Sequence, residues 1–187
     1  MSSHYSALLD RVHEIHDLQK ATALLMWDRQ VIMPEAGDDM RVNQITTLRR
    51  LTHRMSTDDS FGELIENAAT EIDGMPFDSD EASLIRYLRE TFEDERRLPD
   101  EFVARVSETS GKAYGVWVRA RAEDNFAAFA PWLEKVVDLG REMAELYGYE
   151  DHIYALIKDQ RIRYQQLFQK EKNFKKEFER YVEPGTV

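Results

Sequence analysis

The stretch "LLDRVHEIHDLQKATALLMW", Leu8 to Trp27, decides the fold. Leu8, Val12, Ile15, Leu18, Thr22 and Leu25 recur at steps of three and four, the spacing that places side chains on one stripe of an α-helix. The polar residues between them fall on the other faces. The same stretch carries two histidines three residues apart, His13 and His16, around Glu14 and Ile15. A zinc-protease helix spaces its histidines at i and i+4, roughly 40° apart around the axis, with a glutamate beside the bound water. At i and i+3 the imidazoles lie roughly 60° apart on the opposite side of the axis. Two such ligands can touch a metal, but a structural or catalytic centre needs a third. Asp10 and Asp17 are near in sequence, yet no partner motif accompanies them. Glu-x-x-His, the paired ligand motif of di-iron bundles, is absent. His13 and His16 therefore fit best as residues flanking Ile15 at the border of the core. A novel metal or acid–base site around His13, His16 and Asp17 is the competing reading.

The helical period continues outward from this stretch. "VIMPEAGDD", Val31 to Asp39, breaks it: Pro34 disfavours helix at Met33, and Asp38 or Asp39 can cap the next helix. That second helix carries Val42, Ile45, Leu48, Leu51 and Met55. A third, capped by Thr57, Asp58 or Ser60, carries Phe61, Leu64, Ile65, Ala68 and Ile72. A fourth runs from about Asp80 through Leu84, Ile85, Leu88 and Phe92. Pro99, as a first-turn proline, opens a fifth through Phe102, Val106, Ala113 and Trp117. Pro131 opens a sixth, ending at Gly148 as a left-handed stop. From about Glu150 the pattern is helical again, and residues 161–180 are basic and aromatic-striped, with seven basic and three acidic residues. No segment alternates with the period of a strand. The predicted class is all-α, six to seven long antiparallel helices in a bundle-like module, with residues 1–159 as its body and 160–187 as a C-terminal helix and turn.

Bulk properties narrow the function. The 187 residues carry a formal net charge of -11, so a phosphate backbone is repelled and nucleic acid is not an expected partner. There is no cysteine, which excludes disulfides, thiolate zinc sites and cysteine nucleophiles and fits a reducing, cytoplasmic setting. The longest apolar run near the start, "ALLMW" at 23–27, is too short to span a bilayer. No Gly-rich phosphate loop occurs, and Ser107 and Ser110 have no histidine base close in sequence.

Two blocks carry a more specific signal. In "LLMWDRQVIMPEAGDDMRVNQITTLRRLTHRMST", residues 24–57, Trp27-Asp28 stand in the last part of the first helix. A Met33-Pro34 turn, Gly37, Arg41, Gln44 and His53 follow. In the second block Trp117, Ala120 and Arg121 precede an acidic turn, then Phe126, Phe129 and Pro131, and a Gly148-Tyr149 end. This order resembles the Taq-type thermostable zinc carboxypeptidases from about Tyr5 to Asp159. Val31 and Ile32 depart from the family's usual threonine. Residues 160–180 intervene before "YVEPG", where the family has almost none.

The resemblance implies enzymes that remove single amino acids from peptide C-termini with zinc or cobalt, whose bound water is acidified and whose substrate carbonyl is polarised. The family's His-Glu-x-x-His helix, downstream glutamate ligand and substrate-clamping arginine have no counterpart here, so no catalytic residue, cofactor or metal ligand is carried over onto this chain. The expected role is the groove wall or lid of such an enzyme, not catalytic alone. A homodimer, a separate catalytic half and, in the full-length context, a peptide substrate are the expected partners. The alternative is a stand-alone helical interaction or dimerisation protein of the same descent.

Overall fold

The computed structural model describes residues 3–148. The chain divides into two compact units, Met1–Gly140 and Arg141–Val187. The boundary expected at 159/160, the basic aromatic stripe and the seventh helix lie outside the described residues. Within them are α1 (His4–Val31), a 3-10 turn (Glu35–Gly37), α2 (Asp38–Thr57), α3 (Asp59–Glu71), α4 (Asp80–Glu95), α5 (Asp100–Ala122) and α6 (Phe126–Tyr147), and no strand. The fold is all-α. No described helix is long and apolar enough to cross a membrane.

The helix starts follow side-chain capping. Ser3 Oγ accepts from the Ser6 N–H at 3.1 Å, Asp58 from Ser60 at 2.9 Å, and Ser79 from Ala82 at 3.2 Å, each satisfying an amide that the first turn leaves without a partner. Three expected starts are corrected. Asp38 is the first residue of α2, not its cap; Gly37 occupies the cap and has no side chain to bond with, and the Asp38 carboxylate is bonded to Arg29. Pro99 is the cap residue of α5 and not its first turn; its carbonyl accepts from the amides of Phe102 and Val103 at 2.9 and 3.1 Å. Pro131 does not open α6 but lies inside it, because the Asn125 side chain caps six residues earlier by accepting from the Ala128 N–H at 3.2 Å. Gly148 takes φ 75° after α6, the left-handed stop expected of it.

Cross-helix contacts fix antiparallel neighbours. Tyr5 N–H donates to Glu71 across α1 and α3, Arg89 reaches Glu66 across α4 and α3, and Thr46 meets Ser107 across α2 and α5. One core unites Leu8 and Ile15 of α1 with Phe61, Ile65 and Ala68 of α3 and Ile85, Leu88 and Phe92 of α4. Phe61 and Phe92 meet edge to face at 6.1 Å. Gly62 permits that approach: a Cβ there would lie 2.7 Å from Phe92 Cζ.

The buried line of α2 differs from its apolar stripe. Val42 and Ile45 are buried, but the line continues through Thr52, His53 and Ser56, and Leu51 is exposed. These polar residues are accommodated by hydrogen bonds, Thr52 Oγ1 to the Leu48 carbonyl at 2.8 Å and Ser56 Oγ to Glu95. A periodicity counted on apolar residues alone misses a buried face made of satisfied polar groups.

Candidate functional site

The first signature block folds into the corner between α1 and α2. Two ion pairs, one nested within the other along the chain, close it. Arg29 grips Asp38 with both arms, Nε to Oδ1 at 2.6 Å and Nη2 to Oδ2 at 2.9 Å. One residue back, Asp28 accepts from Arg41 Nη1, which also donates to the Leu25 carbonyl at 3.1 Å. Arg41 Nε donates to Gln44 Oε1 at 3.0 Å, so three signature residues form one chain of bonds. The Leu25 carbonyl lies in the last turns of α1, and Arg41 in the first turn of α2. The arginine therefore ties the two ends of the Met-Pro turn together. Met33 lies against Gly37, its Sδ 3.4 Å from where a Cβ would stand. Pro34 caps the 3-10 turn from an exposed position.

α5 is pinned to this corner at both ends of its contact with α2. Arg29 Nη2 donates to the Gly111 carbonyl at 2.8 Å, and its guanidinium lies 5.3 Å from the Tyr114 ring centre. Gly111 is held close, since a Cβ there would come within 3.0 Å of Val42. Further along, buried His53 makes a 2.8 Å hydrogen bond from Nε2 to the Leu98 carbonyl at the entry to α5. Asp100 lies 3.7 Å from the same ring nitrogen and pairs with Arg54. Asp28, Arg41, Gln44 and His53 thus have architectural partners, and none is aimed at a shared reactive point. Arg29 and Asp38 form the more buried pair of the corner; the sequence did not single out Arg29, and it marked Asp38 only as a candidate helix cap.

The other signature residues are dispersed. Trp27 is 52% exposed on the outer side of α1, beside exposed Leu24 and Val31. Trp117 is exposed, with the Arg121 guanidinium 5.3 Å from its ring. Phe129 meets Phe126 edge to face at 6.4 Å, and Pro131 is exposed on α6. His13, His16 and Asp17 are exposed, while Ile15 between them is buried, so the histidines flank a core residue.

Among the described residues, no three His, Asp or Glu side chains come together as metal ligands. The described donor set does not fit the catalytic metal implied by the resemblance. Among the described residues, Lys112 adjoins Gly111 at the corner and is raised first by its Glu108 hydrogen bond, with Asp39 adding; the other shifted acid–base groups lie away from the corner. Ser60, through its hydroxyl and then its amide, holds Asp58 below the ordinary carboxylate range. The Arg89 hydrogen bond lowers Glu66, and that glutamate raises Arg89 in turn. Burial raises the Tyr5 phenol, assisted by Glu81 and Asp80. The Asp58–Ser60 and Glu66–Arg89 contacts are stabilising pairs, the Tyr5 shift reflects burial near carboxylates, and none of these groups forms a matched acid and base.

Comparison with known proteins gives this geometry its context. The family described as Carboxypeptidase Taq (M32) metallopeptidase matches residues 7–173, continuing past Asp159. Thermostable carboxypeptidase 1 of Pyrococcus furiosus is 32% identical over 153 residues, 81% of this chain and 30% of that protein. Its namesake from Thermus thermophilus is 31% identical over 146 residues, 76% of this chain and 28% of that protein. The apo-Mg structure of the Pyrococcus furiosus carboxypeptidase aligns with a TM-score of 0.64 at 30% identity, over 82% of this chain and 30% of that one. The BsuCP crystal structure aligns with a TM-score of 0.76 at 22% identity, over 81% of this chain and 30% of that one, a likeness of fold alone. The chain spans about 30% of the length of the curated relatives it matches.

Proposed function

Because the chain belongs to the carboxypeptidase Taq (M32) metallopeptidase family, we propose that it forms the helical groove wall or lid of a metallocarboxypeptidase that removes C-terminal amino acids from peptides. In this reading the chain does not hydrolyse peptides alone. Zinc or cobalt and the peptide are engaged in the full-length context, whether the remaining length of the fold is joined to this chain or comes from a separate one. The observation that carries the reading is the use made of the signature residues. Asp28, Arg41, Gln44 and His53 are spent on locking α1, α2 and α5 together, as a rigid wall requires and a reactive centre does not. Zinc retention tests it. The purified chain, dialysed after loading with zinc, is expected to keep none in stoichiometric amount. Stoichiometric zinc that is lost in His13→Ala and His16→Ala would overturn the reading in favour of a site on α1.

A second reading, a stand-alone interaction protein, has its own observation. Leu24, Trp27 and Val31 form an exposed apolar edge on α1 at helical spacing. That edge suits a homodimer as well as a missing part of the fold. Sedimentation equilibrium separates the two: a strict monomer at high concentration counts against self-association, whereas a dimer weakened by Trp27→Glu supports it. A cytoplasmic location accompanies either reading.

A further inference from the structure

Away from the exposed edge, a pocket of about 200 Å³ opens between α1, α2 and α5. Met26, Val42 and Ile45 give it an apolar part; Arg49, Ser107 and Ser110 give it donors. Its two arginines differ. Arg29 is neutralised by Asp38 and has the Gly111 carbonyl as a further acceptor. Arg49 is half-buried, and among the described residues its guanidinium meets one acceptor, the thioether sulfur of Met26 at 3.3 Å. A thioether is a weak acceptor and a guanidinium has five donors, so most of this charge's hydrogen-bonding capacity is unused. Ser107 accepts from Thr46 at 3.1 Å and retains its own hydroxyl proton to give. The chain carries a net charge of -11, yet this pocket holds a cation that is unpaired among the described residues, beside a neutral ion pair.

We propose that the pocket between α1, α2 and α5 binds a small organic monoanion, a carboxylate bearing a short apolar group, with Arg49 as its counter-ion. The planar guanidinium fork matches a carboxylate in shape. A single unpaired positive charge suits one negative charge. The apolar residues select a ligand with a hydrocarbon body over a bare inorganic ion, and the volume admits only a fragment-sized one. The proposal is independent of the groove-wall reading, since it concerns a pocket that the signature contacts do not fill.

Phenylacetate is a suitable probe, with neutral phenylacetamide and inorganic phosphate as comparisons, titrated into the full ¹⁵N-labelled chain and followed by NMR. A ligand of about ten heavy atoms at ordinary efficiency binds in the millimolar range. Saturable shifts are expected at Arg49 Nε–H and at the Ser107 and Gly111 amides. Arg49→Met should weaken phenylacetate by about tenfold or more, the scale of one charge-assisted hydrogen bond. Phenylacetamide should be weaker by a similar factor, and phosphate weaker than phenylacetate. Ser110→Leu, on the pocket lining, should abolish binding and serves as the test if Arg49→Met does not fold. No saturable shift up to about 20 mM phenylacetate, more than tenfold above a millimolar Kd, would overturn the proposal. So would unchanged affinity in Arg49→Met, tighter binding of phosphate, or binding that survives Ser110→Leu.

Discussion

Arg29→Met tests whether the corner between α1 and α2 is held as described. The Arg29 side chain is 8% exposed and that of Asp38 31% exposed. Methionine keeps most of the apolar stem, so the change removes the charge and its donors with little loss of packing. Deleting one partner of a buried ion pair costs about 3–5 kcal/mol when the other is left dry. Asp38 is partly rehydrated, which puts this pair at or below the low end. The Gly111 carbonyl also loses its donor, adding about 1 kcal/mol. The expected loss is about 3 kcal/mol, or a fall in Tm of about 6–12 °C for a chain of this size. Urea melts of the full chain followed by circular dichroism measure it. The comparator is Glu66→Gln, which breaks an exposed pair with side chains 62% and 47% accessible and should cost about 1 kcal/mol or less. If Arg29→Met costs under about 1 kcal/mol, or no more than Glu66→Gln, the ranking of buried over exposed pairs used here is wrong.

Three further outcomes follow from particular contacts. Gly62→Ala should cost about 1–3 kcal/mol because its Cβ meets the Phe92 ring, whereas Gly140→Ala, with nothing within 4 Å, should stabilise α6 by about 0.5–1 kcal/mol; paired denaturant melts of the two variants read the difference. Asp58, Glu66 and Glu71 have lowered folded-state pKa values, so their stabilisation is fully present above the ordinary carboxylate range, near pH 4, begins to fade below it, and is lost as pH falls through the lowered folded-state values. The melting temperature should therefore drop on acidification below about pH 4.3, with a shallower slope in Glu66→Gln. His13→Ala and His16→Ala, both at exposed positions on α1, should each change stability by no more than about 0.5 kcal/mol in the same melts.

The apolar period made the helices legible, and Leu8, Ile15, Phe61, Ile65 and Phe92 all entered the core. The ends were harder to read. A proline tolerated near a helix start does not reveal which residue caps it, and at α6 the Asn125 carboxamide decides the matter from within a polar turn. Buried polar contacts were harder still. The sequence marks His53 as part of a signature, but its partner is a backbone carbonyl 45 residues away, which no local pattern encodes. Arg29 has an ordinary helix-end position, and its burial comes only when α5 brings the Gly111 carbonyl to it. The Arg49 pocket had no sequence signal either, because it is assembled from three helices. The HEIH motif was legible as a near-miss, and the exposure of both histidines around buried Ile15 gives its physical place.

In the proposed reading the chain shapes a peptide site without hydrolysing peptides itself. Release of the C-terminal amino acid from a short peptide by the purified full chain, with zinc or cobalt added, is the decisive assay. The expected result is no release above the metal-only blank while circular dichroism reports a folded helical protein. Release that persists through further purification and disappears in His16→Ala would contradict the account and make α1 a catalytic element.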